Sequence, residues 1–344
     1  MPNPSTRTIL RHILSPDPTG ASLSIHPTQR RMVADIRMNK PRPIIGRVGG
    51  KARLAPWVIQ HLTRFQWSIY CEPFCGSAAV YFRMIQDLVF QQIRDRGHHP
   101  RIVLNDADSR IVQLFRTCRD HPELLAYAVS MTPYSREEHR LAQQGIDGIE
   151  DEVEQARRFL VGMHQTISTD EGFASRWSQT RNQHDPRDRV DTWHTLPRRI
   201  LNATDHLKRC YIENDDAVKC IERWATPHTC FYLDPPYVDC ENYYAHNAKA
   251  GKDSNLELHH RLAAAANTVE AAAVVVSYYP CELVDELYPE DRWEYHYKDT
   301  VASSAGITRN SKTKTRPKRT ELLLVRKAQG TAPAVNLSGQ ISLF

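Results

Sequence analysis

The chain of 344 residues is short of glycine, with 14, and none of them stands in a GxGxxG arrangement. Neither glycine–lysine pair is followed by Ser or Thr, so a Walker-type phosphate loop is absent as well. Dinucleotide and ATP sites built on those loops are therefore excluded. No apolar run approaches the roughly 20 residues needed to cross a bilayer. The first twenty residues, "MPNPSTRTILRHILSPDPTG", lack the apolar stretch of a secretory leader. The eight cysteines include no CxxC pair. Cys210, Cys220, Cys230 and Cys240 recur every ten residues, but no His or Cys stands beside them at zinc-ligand spacing. Free thiols, no metal and a cytoplasmic location are the expectations. One-sided charge is also lacking: charged residues make up 25% and the formal net charge is only +5. That mild basic excess alone says little about a polyanionic partner.

What is present is an alternation. Seven short apolar runs bounded by breakers read as strands: "WSIYCEPF", "RIVLND", "RCYIEND", "TCFYLDPP", "AAAVVVSYY", "WEYHYKD" and "ELLLVR". Helical patterns lie between them. "KARLAPWVIQHLTRF" puts Leu54, Val58, Leu62 and Phe65 on one face. Such alternation predicts an α/β fold, a doubly wound and mostly parallel Rossmann-like sheet. It breaks between 119 and 208, where helical patterns occur without a convincing strand. From Arg176 to Arg209 that stretch holds eight Lys or Arg against four Asp, with Trp177 and Trp193 interleaved. The expected organisation is a flexible extension over 1–43, a sheet domain over 44–118 and 209–327, an inserted helical domain over 119–208, and a flexible tail over 328–344.

Four motifs carry chemistry. In "YCEPFCGSAAV" a strand delivers Glu72, then Pro73 and Phe74 turn the chain, and Gly76 lets backbone approach a ligand before a helix. In "RIVLNDAD" a second strand ends in Asp106, about 30 residues on, placed to take the hydroxyls of a ribose or to cap the next helix. In "TCFYLDPPYVD" two prolines stop the hydrogen-bond ladder directly after an acid. The Asp234 carboxylate and the Pro235 carbonyl are both acceptors, and Tyr237 offers a flat surface. Together they suit an amino group on a planar ring. In "RVGGKARLAPWVIQHL" two glycines and Lys51 precede a helix, an arrangement that favours an anionic group such as a carboxylate.

In this order, these residues resemble the Dam-like adenine-specific DNA methyltransferases, from about residue 44 to 327. The resemblance implies S-adenosylmethionine as cofactor, double-stranded DNA as partner, and methyl transfer to the 6-amino group of a flipped-out adenine. It implies a catalytic trio of Asp234, Pro235 and Tyr237. It implies cofactor contacts at Lys51, Glu72, Phe74, Gly76, Asp106, Asp234 and Asp216, the last beside the cofactor's adenine. It also implies a setting in a bacterial cytoplasm or a phage-infected host, with restriction–modification as one context. The family's second glycine is replaced here by Ala78, tolerable if that residue keeps a negative φ. An N(4)-cytosine DNA methyltransferase would use the same acceptor geometry on another ring amine. A non-catalytic DNA-binding regulator is the alternative from a different class, which an intact Asp234 and Tyr237 disfavour.

Two further stretches point outward. "TRNSKTKTRPKR", residues 308–319, carries six Lys or Arg and no acid, and Lys312, Lys314, Arg316, Lys318 and Arg319 are the expected DNA-phosphate contacts. "QISLF", Gln340 to Phe344, puts Leu343 and Phe344 at the end of a polar tail. It resembles the peptide by which bacterial DNA-processing proteins dock on the replication sliding clamp, or else packs on its own domain.

Overall fold

The computed structural model of the protein describes residues 41–46, 50–86, 99–166, 177–178, 189–238, 252–301 and 318–327. The chain divides into two compact units. One comprises Arg47–Ser109 and Cys210–Phe344, the other Met1–Gly46 and Arg110–Arg209.

The first unit is built on seven strands: β1 (Ile69–Glu72), β2 (Arg101–Asn105), β3 (Cys210–Glu213), β4 (Thr226–Leu233), β5 (Ala271–Tyr278), β6 (Trp293–Val301) and β7 (Lys318–Arg326). All seven stand where the apolar runs and their breakers put them. Their order in the sheet is β3-β2-β1-β4-β5-β7-β6. The first five run parallel, while β7 is antiparallel to both β5 and β6. β1 and the last five residues of β4 are buried throughout, the pattern of strands covered on both faces.

This order places the topological switch between β1 and β4. The chain leaves β1 for β2 and β3 on one side and returns to β4 on the other. Crevices for ligands open at the carboxyl ends of strands at such a point. Cys71 of β1 faces Phe231 of β4, so Glu72 and the Asp234–Tyr237 segment emerge side by side. Lys51 lies in a 3-10 turn, Lys51–Arg53, directly before the helix Ala55–Leu62. Leu54, Val58 and Leu62 are buried, as their spacing predicts. Phe65 lies beyond the end of that helix and is half-buried.

The second unit is helical in its described residues, apart from one antiparallel bridge between Thr166 and Trp177. Its helices include Pro122–Ser130, Arg136–Gln143, Glu152–His164 and Leu196–Leu207. Ser135 and Asp151 cap two of them by accepting backbone N–H bonds. Buried Leu125, Val129, Leu160 and Ile200 contribute to its core. Trp193 is also buried and satisfies its indole N–H on the Thr132 carbonyl at 2.8 Å. Of the amino-terminal residues, Ile44 and Ile45 are buried in this unit, and the Ile44 carbonyl meets the His164 ring at 3.0 Å.

No helix among the described residues is long and apolar enough to cross a membrane.

Candidate active site

The site starts with the turn after β1. Gly76 has φ +49°, which costs glycine little. Ala78 has φ +51° and is fully buried at the entrance to the helix Ala79–Met84. A negative φ was the condition for accepting alanine there, and the structure departs from it. The turn closes through the Ala78 N–H donating to the Cys75 carbonyl at 2.6 Å, which holds the left-handed backbone despite the methyl. The left-handed region costs a non-glycine residue roughly 1–2 kcal/mol.

Asp106 holds this turn from β2. Its two oxygens accept from the Gly76 N–H at 2.8 Å and the Asp108 N–H at 2.9 Å. Asn105 braces the same tips. Its amide donates to the Pro73 and Asp215 carbonyls and accepts from the Asp215 N–H, tying the segments after β1 and β3 to β2. Asp216 caps the helix Ala217–Trp224, and the same oxygen pairs with Arg261 at 2.9 Å. Glu72 is 2% exposed and accepts from the Tyr70 hydroxyl and the Tyr81 N–H. Burial pushes its pKa up to about 8, and nearby Asp234 adds to the rise. Glu72 is thus a largely neutral acid at pH 7.

At the end of β4 the acceptor group is already engaged. The Lys51 ammonium lies 2.9 Å from Asp234 Oδ1 and 4.5 Å from the centre of the Tyr237 ring. Burial alone would lower the Lys51 pKa, but Asp234 and Glu321 outweigh it and hold it above its ordinary value. Tyr237 is buried, and its hydroxyl donates to Glu321 Oε2 at 2.9 Å. Burial first, then Asp234 and Glu321, keep that phenol protonated. Glu321 itself is 8% exposed, and burial raises its pKa. Tyr279 meets the Tyr237 ring edge-on at 4.5 Å, and the Arg319 guanidinium stands over Tyr279 at 5.3 Å.

The site thus combines a carboxylate, a buried ammonium and an aromatic ring directly after β4, at the switch point of a doubly wound sheet. The sequence model of the D12 class N6 adenine-specific DNA methyltransferases matches residues 48–303, well over half of the chain. The chain belongs to this family. It is also similar to the type II methyltransferase M1.LlaDCHI of Lactococcus lactis subsp. cremoris, 23% identical over 296 residues covering 82% of this chain and 94% of that protein.

The methyltransferase acts on adenine in DNA and depends on S-adenosylmethionine. Its residues fit that cofactor by their chemistry: carboxylate acceptors just after β2 and β3, a glycine turn after β1 held by Asp106, and half-buried Phe74 beside the core. The structure brings Lys51, Glu72, Phe74, Gly76, Asp106, Asp216, Asp234, Pro235 and Tyr237 into the unit that holds the switch point. Lys51 had been expected to face a carboxylate of the ligand. The structure pairs its ammonium with Asp234, which supplies the counter-charge that a buried ammonium requires nearby.

Of the residues expected on DNA, Arg319 is described. Lys318 opens β7 but its side chain lies outside the described residues, as do Lys312, Lys314 and Arg316. Gln340, Leu343 and Phe344 also lie outside them, as do residues 1–40 and 328–344. Two site residues escaped the sequence reading. Asn105 preceded a more conspicuous acid. Glu321 was read as part of a strand, although an acid at the head of "ELLLV" faces burial and therefore needs partners.

Proposed function

We propose that the methyltransferase activates its target through Asp234 and the Pro235 carbonyl, which accept the two hydrogens of the adenine 6-amino group. The amine's lone pair is delocalised into the ring. Two acceptors draw the nitrogen toward tetrahedral geometry and aim that lone pair at the methyl group. The cofactor, when bound, supplies a methyl on a positively charged sulfur that is already a good leaving group. Acceptors therefore suffice, without a strong base before attack: as the N–C bond formed and the S–C bond broke, the nitrogen would become acidic and lose one proton along its hydrogen bond to Asp234. Asp106 would hold the ribose hydroxyls, Asp216 would meet the cofactor's adenine, and the Gly76 turn with Glu72 and Phe74 would shape the pocket. Because Glu72 is largely neutral, it adds little negative charge to compete with Asp234 for the target. The observation that carries this reading is an amine, that of Lys51, already seated on Asp234 over the Tyr237 ring.

An adenine within a duplex cannot reach that seat while stacked. The reading therefore includes base flipping, with Tyr237 as the surface beneath the flipped ring. Double-stranded DNA would be gripped by the basic stretch around Lys312, Lys314, Arg316, Lys318 and Arg319. Replacing three of these with Gln should weaken DNA binding and its salt dependence. The terminal Gln340–Phe344 peptide would dock on a sliding clamp, and its deletion should abolish capture by the clamp without loss of methylation on short DNA.

Asp234→Ala tests the core of the reading. Methyl transfer at saturating DNA should fall about 10²–10³-fold or more, the range for losing one preorganised partner of a transition state. Cofactor binding, measured by equilibrium dialysis, should survive in part. Activity near wild type would sink the assignment.

A further inference from the structure

The Lys51 ammonium meets both requirements of the target amine: hydrogen-bond distance from Asp234 Oδ1, at 2.9 Å, and a position over the Tyr237 ring, at 4.5 Å from its centre. A base cannot stack on that face while the ammonium stands there. The Lys51 side chain is 4% exposed, so leaving Asp234 for an uncharged place would strand a buried charge, which is strongly unfavourable. A second carboxylate is within electrostatic reach. Glu321 lowers the free energy of the charged lysine, and the lysine in turn holds the Glu321 pKa down. Glu321 is fixed to the same ring from the other end, through the Tyr237 hydroxyl at 2.9 Å. One aromatic ring thus links the two carboxylates: the ammonium that pairs with Asp234 stands over its face, and Glu321 accepts from its hydroxyl.

We propose that Lys51 occupies the amine seat in the substrate-free enzyme, and that Glu321 is the positioning residue that receives its ammonium when the target base enters. This rests on the reading of Asp234 as the amine acceptor. The transfer keeps the buried positive charge paired at every stage. It releases Asp234 for the incoming amine and clears the face of Tyr237. It also accounts for an acid directly before the apolar run "LLLV" of β7, beside a tyrosine whose packing alone would not require one. Glu321 does not touch the reacting atoms and acts through Lys51.

A double-mutant cycle on unmethylated plasmid DNA separates this role from simple support of Tyr237. Glu321→Gln keeps an acceptor for the tyrosine hydroxyl but loses the charge. It should slow single-turnover methyl transfer about thirtyfold, with the KM for S-adenosylmethionine unchanged within twofold. Glu321→Asp, which restores the charge, should recover to within fivefold of wild type. In a Lys51→Met background the Gln substitution should cost less than threefold, because no ammonium remains to be received. An equal cost in both backgrounds would overturn the proposal, as would abolition of the Gln effect by Tyr237→Phe with Lys51 intact. A second measurement covers variants that fail to fold or to turn over. In the wild-type protein carrying ε-13C lysine, the resonance missing from Lys51→Met should shift when DNA and S-adenosylhomocysteine are added. No shift under conditions where DNA binds would also overturn the proposal. Wild-type protein that forms no methyladenine would instead refute the functional reading itself, a separate outcome.

Discussion

Glu72 shows how a single buried acid shapes this site. Its carboxyl accepts two hydrogen bonds, which favour the charged form, yet burial outweighs them and its pKa stands at about 8. The folded protein therefore binds a proton that the unfolded chain releases near its ordinary value of 4.5. Between those pH values the native state holds more protons than the unfolded state, so stability falls as pH rises. The slope from this one group approaches about 1.4 kcal/mol per pH unit. Glu72→Gln retains an acceptor for Tyr70 and Tyr81 without the titration. Its urea-unfolding free energy should vary less between pH 5 and 8 than that of wild type, and it should be the more stable protein at pH 8. An unchanged slope would mean that Glu72 is charged in the native state. Lys51 presents the opposite case, since two carboxylates keep it charged despite burial.

At the scale of elements, the seven strands were legible because each is a short apolar run closed by Pro, Gly, Asn or Asp. The prolines of "LDPPY" marked the end of β4 and the acceptors at its tip. The stretch "DSRIVQLFRTCRDHPELLAYAV", residues 108–129, reads as one helical pattern but forms two helices, Ser109–Asp120 and Pro122–Ser130, because Pro122 lacks the N–H to continue the first. The conformation of Ala78 was not legible. Alanine favours helix, and nothing in "CGSAAV" signals that its first alanine must turn left-handed; the requirement comes from the closure of the turn between β1 and its helix. Ala78→Gly should therefore stabilise the protein by about 1 kcal/mol in urea unfolding, less what the lost methyl contact and greater unfolded-state freedom remove. Destabilisation would show that the buried methyl contributes more than the strained φ costs. Glu321 was missed for a related reason. Local pattern assigns a strand, but the partner that makes its acid meaningful, Tyr237, lies 84 residues away in sequence.

For the molecule as a whole, the sheet order determines where chemistry can occur. β1 and β4 are far apart in sequence and adjacent in the sheet, with the helical unit entering between β2 and β3. Their neighbouring ends place the glycine turn, with the Asp106 carboxylate that holds it, and the Asp234–Tyr237 segment at the same edge of the sheet. The family relationship fixes the reaction as methylation of adenine in DNA, and the proposed seat would perform it with one carboxylate, one carbonyl and one ring. The most direct test is to incubate wild type and Asp234→Ala with methyl-labelled S-adenosylmethionine and duplex DNA, then digest the DNA to nucleosides. Label in N6-methyladenine with wild type and almost none with the variant is the predicted result. Label in N4-methylcytosine, or equal N6-methyladenine from both proteins, would contradict the account.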